Sequence, residues 1–305
     1  MPSLSRRQLA LLLFVTLVWG VNWPVMKMAV QDLPPLTFRA LSLVLSLPVI
    51  WLSLRLLGVP LAVPRRHWAG VAWLGLINVV FWHALIIIAV PMLSSGRAAI
   101  LGYTMPIFSA LLGALLFRDR LSVRGWAGVA AAAVGVALLL WNELTSMGGR
   151  PLGVALMLTG ATTWALGTQL LRRTRLPAAT LTLSFWMIAE AALVVCLLAL
   201  WFERPQWHAP GAGTVWAVAF NAVLATGLAQ TGWFVLARGL PPLASTLSVM
   251  MIPVLGVFSG ALWLGELLHW QDWASIGLMT AAIASVLWPA RAPLAPAALS
   301  GRTGT

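Results

Sequence analysis

Apolar runs of about twenty residues alternate along this chain with short polar or proline-rich breaks. Ten runs can be counted, at 8–28, 37–57, 68–90, 95–117, 124–141, 151–171, 180–202, 214–236, 242–264 and 271–290. A helix needs roughly 20 apolar residues to cross a bilayer, so each run predicts one span. The breaks between them are rich in turn formers: "DLPPLT", "GVPLAVPRRH", "MGGRPLG", "RRTRLPAAT", "ERPQWHAPGAG" and "RGLPP". The pattern predicts an all-α integral membrane protein of ten transmembrane helices.

Composition sharpens this reading. Of 305 residues, 61% are hydrophobic and 9% charged, and the mean hydropathy is +0.93. Soluble domains carry about 25% charged residues, so lipid is the better solvent for this chain. The net charge of +12 does not point to nucleic acid, because the basic residues sit in connections between spans and form no continuous patch. Fourteen of the nineteen Lys and Arg residues fall on one side if the N-terminus is inside and the spans alternate. The other five are Lys27, Arg39, Arg97, Arg150 and Arg204. The positive-inside rule then predicts both termini on the cytoplasmic side. Arg6 and Arg7 precede an apolar run that continues past Trp19 without a small-residue cleavage site, which reads as a retained first span. Cys196 stands alone and can make no intramolecular disulfide.

The two halves resemble each other. "YTMPIFSALLGALLFRDRLSVRGWAG" aligns with "MMIPVLGVFSGALWLGELLHWQDWAS" at an offset of 147, matching Pro106 to Pro253, Gly113 to Gly260, Asp119 to Glu266 and Trp126 to Trp273. His83 falls opposite Gln230 at the same offset, and Trp19 opposite Trp164 at 145. Two repeats are expected, 1–145 and 146–290, followed by a disordered cytoplasmic tail at 291–305. Five spans is an odd number, so the second repeat must enter the membrane from the opposite side. The charges agree: Arg118, Arg120 and Arg124 follow the fourth span, and Glu266, His269 and Asp272 follow the ninth. Inverted repeats of this kind hold a substrate near the midplane and alternate access by rocking.

Ten spans in two repeats, a "WG.N" segment in the first helix, and proline-centred fourth and ninth helices ending in an acid resemble the EamA family of the drug/metabolite transporter superfamily. The Trp-rich helices look most like those of its bacterial aromatic amino acid exporters. The resemblance spans roughly Gln8 to Trp288. It implies residence in the bacterial cytoplasmic (inner) membrane. It also implies export through a central cavity lined by helices 1, 3, 4, 6, 8 and 9.

Candidate site residues follow from polar and aromatic faces on those helices. Trp19, Asn22, Trp23 and Met26 share one face of helix 1. A bare amide facing lipid is costly, so the face turns to a cavity or to a neighbouring helix. Trp164, Gly167, Thr168 and Leu171 repeat the spacing, and the small Gly167 and Thr168 are expected to leave room for a ligand. Asn78 and Trp82 share a face of helix 3; for His83, substrate contact and structural bonding stand level. Thr226, Gln230 and Trp233 form a stripe on helix 8 that favours a cavity over lipid. Tyr103 lies within its span, so its hydroxyl needs an internal partner; Ser245, Thr246 and Met250 occupy the matching stretch of helix 9. Pro106 and Pro253 are candidate gating kinks, with a purely structural role as the alternative.

Other residues read differently. Trp51, Trp68, Trp126, Trp141, Trp201, Trp270 and Trp288 fall at span ends, where belt residues are common. Gly128, Ala132 and Gly135, with Gly277, Ala281 and Ala284, follow small-residue packing spacing, within the chain or across a homodimer. Glu190 is the one carboxylate deep in a span, read as hydrogen-bonded and structural because the resemblance makes helix 7 peripheral. Lys27, Arg39 and Arg97 either draw a carboxylate toward the exit or are solvated loop charges.

The function expected is export of aromatic or other hydrophobic amino acids. A drug or metabolite exporter of the same superfamily is the alternative, and a lipid scramblase or assembly partner a second. Small cationic-drug antiporters want a glutamate in the first helix, and none is there. No cofactor, metal site or catalytic constellation is recognisable, and an enzyme is not expected.

Overall fold

A computed structural model describes residues 5–145, 150–237 and 242–287, with side chains for all of these but 143, 237, 242–247 and 286–287. The expected tail, Arg238, Trp288 and the Thr246 side chain lie outside the described residues. Ten helical rods account for almost all of the described chain: α1 Arg6–Ala29, α2 Pro35–Leu56, α3 Arg65–Met92, α4 Ser95–Phe117, α5 Val123–Thr145, α6 Pro151–Arg173, α7 Thr180–Phe202, α8 Ala212–Leu236, α9 Pro242–Leu264 and α10 Trp270–Leu287. A membrane interior offers no water to satisfy backbone groups, so apolar stretches of this length become helices. At 1.5 Å per residue the 24 residues of α1 reach about 36 Å, enough to cross a bilayer.

Corresponding helices run in opposite directions. Glu266, just past α9, binds the start of α4: its carboxylate accepts from Ser95 N (2.6 Å), Ser95 Oγ (2.8 Å) and Gly96 N (3.3 Å). Glu203, just past α7, does the same for α2, accepting from Leu36 N at 2.9 Å and Thr37 N at 2.7 Å. The end of one helix thus meets the start of its repeat mate, as two inverted five-helix repeats require. Packing pairs exchange in the same way. α1 packs on α9 and α6 on α4; α3 packs on α6 and α8 on α1; α5 packs on α10.

Three acids cap helix N-termini at one end of the bundle, where a carboxylate meets unpaired N–H groups and the positive pole of the dipole. Besides Glu203 and Glu266, Asp32 accepts from Gly211 N (2.9 Å) and Thr214 Oγ1 (2.6 Å) at the start of α8. The Thr214 hydroxyl, and then the Gly211 N–H, hold the half-buried Asp32 carboxyl below its ordinary range. This end is called the Glu266 end below, and the opposite one the Arg118 end.

Three local departures from regular helix bear on function. Residues Leu76–Val80 of α3 and Phe220–Ala229 of α8 are π-helical; the two overlap at the repeat offset. Such segments are frequent at functional sites. α4 breaks at Tyr103 and Thr104 and restarts with Pro106 in its first turn, whereas α9 runs unbroken through Pro253. The two candidate kinks are therefore unequal. Arg118 and Gly265, equivalent positions after α4 and α9, both adopt left-handed backbone at φ 59° and 63°, a conformation glycine takes without cost and arginine does not.

Close approaches locate the tight seams. Gly167 lies against the backbone of Asn78: a methyl added there would fall 2.4 Å from Asn78 Cβ and 2.5 Å from Cα. This corrects the expectation that Gly167 leaves room for a ligand; its missing side chain is filled by α3. Gly96 and Gly256 similarly bring α4 against α9. α5 and α10 pack on each other through Gly128 against Ser285 and a hydrogen bond from Ser275 Oγ to the Gly135 carbonyl (3.0 Å). The α10 face involved is Ser275, Met279 and Ala282, not the expected Gly277 and Ala281, which face away.

Gly167→Ala is expected to cost about 1–3 kcal/mol through overpacking, read as a lower midpoint of heat unfolding in micelles. An unchanged midpoint contradicts the close crossing of α3 and α6.

Candidate functional site

Between the two repeats lies a cavity of about 360 Å³. Eleven of the sequence-predicted residues line it: Trp19, Asn22, Trp23, Asn78, Trp82, His83, Tyr103, Trp164, Thr168, Gln230 and Trp233. Pro106 and Thr226 line it too. Met250 is half-buried in the packing beside it and Pro253 is buried within α9; neither reaches the cavity.

Polar bonds at the walls repeat between the halves. Trp19 Nε1 donates to the Ala225 carbonyl at 3.0 Å, and Asn78 Nδ2 donates to the Trp164 carbonyl at 2.8 Å and to Thr168 Oγ1 at 3.2 Å. Ala225 and Asn78 are equivalent positions in the two π-helical segments, and Trp19 and Trp164 are equivalent in α1 and α6. The same crossing is thus tied twice, with the donor on opposite sides.

The aromatic rings form matching pairs. Trp19 and Trp233 stand 5.8 Å apart across α1 and α8, and Trp82 and Trp164 stand 5.6 Å apart across α3 and α6. Trp23 meets Tyr103 edge-on at 6.4 Å. Tilted and edge geometries are those the ring quadrupoles favour. The Tyr103 hydroxyl, expected to need an internal partner, makes no hydrogen bond among the described residues; it opens onto the cavity. Asn22 both lines the cavity and accepts from Asn221 Nδ2 at 2.7 Å, so the two readings of that residue coexist.

The cavity is unequal at its ends. Toward the Glu266 end, Ser95–Gly102 of α4 packs against α9, α6 and α1. Toward the Arg118 end, Met105–Phe117 turns to α6, where Gln169 Nε2 donates to the Ser109 carbonyl at 2.6 Å and Arg173 pairs with Asp119 at 2.6 Å. A second hollow of about 260 Å³ shares Pro106 and Ser109 with the cavity and extends it to Asp119, Arg120 and Arg172. The chamber is sealed by helix packing at the Glu266 end and continues toward the Arg118 end.

The three cations grouped in the sequence separate. Lys27 Nζ donates to the carbonyls of Val90 (3.0 Å), Pro91 (2.8 Å) and Leu93 (2.8 Å), stapling the C-terminal end of α3. Arg97 Nε pairs with Asp272 at 2.7 Å. Both hold the sealed end together rather than standing solvated. Arg39 is neither a loop charge nor exposed: it lies in α2, 2% exposed, and lines the cavity.

The resemblance implied six lining helices; α2 joins them through Arg39 and α7 through Ile188. Glu190 faces α3 at Gly75, away from the cavity, and makes no hydrogen bond among the described residues, contrary to the expected bonded role. Asn221 escaped sequence reading because its face of α8 is set by the π-helical turn, which shifts the period away from 3.6. Arg39 escaped because it sits at the edge of an apolar run, where a loop charge and a buried one look alike.

Comparisons with known proteins agree with this architecture. The model of the EamA-like transporter family matches twice, at residues 7–141 and 151–288. An "Uncharacterized inner membrane transporter YedA" of Escherichia coli strain K12 is 26% identical over 92% of each chain. An "Uncharacterized transporter YoaV" of Bacillus subtilis is 24% identical, covering 83% of this chain and 87% of its own. A "Probable amino-acid metabolite efflux pump" of Escherichia coli strain K12 is 27% identical over 86% of this chain and 89% of its own. One crystal structure, its description naming only a protein, shares the fold with a TM-score of 0.67 at 22% identity, covering 92% of this chain and 98% of that one. With both halves matched by one family model and ten helices in two inverted repeats around a seam cavity, this chain belongs to the EamA-like transporter family.

Proposed function

We propose that this transporter exports aromatic or other hydrophobic amino acids from the cytoplasm, across the bacterial inner membrane, by alternating access. The observation that carries the reading is the seam cavity. Its volume of about 360 Å³ is near the lower end of the roughly 300–1,000 Å³ usual for small-molecule sites, which suits a single amino acid. Its walls are indole and phenol rings with amides and hydroxyls between them. Rings accept an aromatic side chain by stacking, and amides meet the polar end of the solute. A relative named as an amino-acid metabolite efflux pump supports the solute class. The Arg-rich connections after α4 and α6 support a cytoplasmic Arg118 end with both termini on that side. The chamber then opens to the cytoplasm and is closed to the outside.

Transport requires the seal to pass from one end to the other. The repeats 1–145 and 146–290 rock against each other, with the break in α4 at Tyr103 and Pro106 as one hinge. Opening outward breaks the bonds from Glu266 to Ser95 and Gly96. No ring or amide of the site changes partner covalently; the solute is moved, not altered.

Proteoliposomes loaded with unlabelled L-phenylalanine should accumulate labelled L-phenylalanine or L-tryptophan by counterflow. Trp164→Ala should weaken apparent affinity by about 2–10-fold, the worth of one ring contact. Exchange of a nucleoside or drug, with no amino acid exchanged, removes the solute reading and leaves the carrier. Glu266→Ala should raise the population open at the outer end by about 10–100-fold, given roughly 1.5–3 kcal/mol for hydrogen bonds to a charged group. Labelling of Tyr103→Cys by an impermeant reagent from outside measures this, and an unchanged labelling rate contradicts the latch.

A further inference from the structure

We infer that Arg39 is the anchor for a carboxylate at the sealed end of the cavity, so that the solute binds acid-first with its apolar part toward the aromatic walls. The inference deepens the reading of the same cavity as an amino acid site and rests on it for location. Arg39 is 2% exposed yet has no carboxylate partner among the described residues. Its Nη1 donates to Asn221 Oδ1 at a long 3.3 Å, its Nη2 meets the thioether of Met26, a weak acceptor, and its Nε has no partner. A buried guanidinium kept for structure alone is normally matched by an acid, because an unpaired buried charge is costly. Here the residue lines the cavity instead, with its Nε buried and unpartnered at that wall.

The surroundings are set for an anion. Among the described residues, no carboxylate lines the cavity, and the Nδ1 of His83, another lining residue, is buried with no partner. Asn221 links the guanidinium to Asn22, which braces it in place while its Nε stays buried without a partner. Arg39 stands one turn into α2 from the Glu266 end, and Met26, its neighbour, lies about 10 Å along α1 from Trp19 at 1.5 Å per residue. A solute coming from the Arg118 end therefore passes the Trp19–Trp233 pair before its leading group reaches the guanidinium. Planar guanidinium and carboxylate match bidentately, which a lysine does not reproduce. The site takes free carboxylates and zwitterions with apolar side chains, and it rejects amines that lack the acid.

Equilibrium binding to the purified full chain in micelles tests this with phenylacetate, L-phenylalanine, L-phenylalaninamide and phenylethylamine. The wild-type protein should bind each acid about 10–100-fold tighter than its amide or amine counterpart, the span expected for a charge-assisted contact. Arg39→Gln should erase the difference while leaving the weak binding of the amide, and Arg39→Lys should keep part of it. Equal binding of acid and amide by the wild type, or no binding of any acid, overturns the anchor and needs no variant to fold. So does a preference retained in Arg39→Gln with an unchanged size-exclusion profile. Arg39-dependent binding of phenylacetate without amino acid counterflow upholds the anchor and removes the amino acid reading.

Discussion

A polar group inside a bilayer has no water to bond, and the whole architecture follows from that. Backbone N–H and C=O groups pair mainly within the helices, and the acids at the Glu266 end cap helix starts. Many serines and threonines inside the rods return to their own helix, as Thr16 does to the Leu12 carbonyl and Ser42 to the Phe38 carbonyl. Much of what cannot be satisfied this way turns to the seam, Glu190 at Gly75 being an exception. Asn22, Asn78 and Arg39 bond across helices there, the Tyr103 hydroxyl is left for whatever fills the chamber, and His83 Nδ1 is buried without a partner beside it.

The duplication makes that seam possible. Two copies related by inversion bring α3 to α6 and α8 to α1, and each crossing needs one small residue or one freed carbonyl to close. In one half the crossing uses Gly167 under Asn78; in the other, the π-helical turn offers the Ala225 carbonyl to Trp19. The halves are not identical, and the difference lies in α4 and α9. A broken helix and an unbroken one, pinned together at Ser95–Gly102 and apart beyond Met105, give a chamber sealed at one end. Exchanging the two shapes would seal the other end, which is how an inverted repeat supplies two states from one fold.

Much of this was legible in the sequence because hydropathy and repeat spacing act over twenty residues. All ten spans fall within a few residues of their helices, and the faces bearing Trp19, Asn78, Trp164 and Gln230 do converge. Features that depend on a single contact were not legible. Gly167 reads as empty space until Asn78 is seen against it, and Lys27 reads as a solvated charge or a lure for a carboxylate until the end of α3 is seen under it. Pro106 and Pro253 are equivalent in sequence, yet one begins a helix segment and the other sits inside one. Arg39 stood between two readings, a cation drawing a carboxylate and a solvated loop charge, and the turn of α2 carries it into the protein and removes the second.

The central claim is a chamber at the seam of two inverted halves that opens at one end as it closes at the other. Spin labels at the exposed positions Arg7 and Leu116, across the Arg118 end, and at Gln31 and Arg150, across the Glu266 end, measure both gates in a Cys196→Ser background. On addition of a transported solute, the Arg7–Leu116 distance should shorten in the same population in which the Gln31–Arg150 distance lengthens. Distances that stay fixed during turnover, or that lengthen together at both ends, would contradict it.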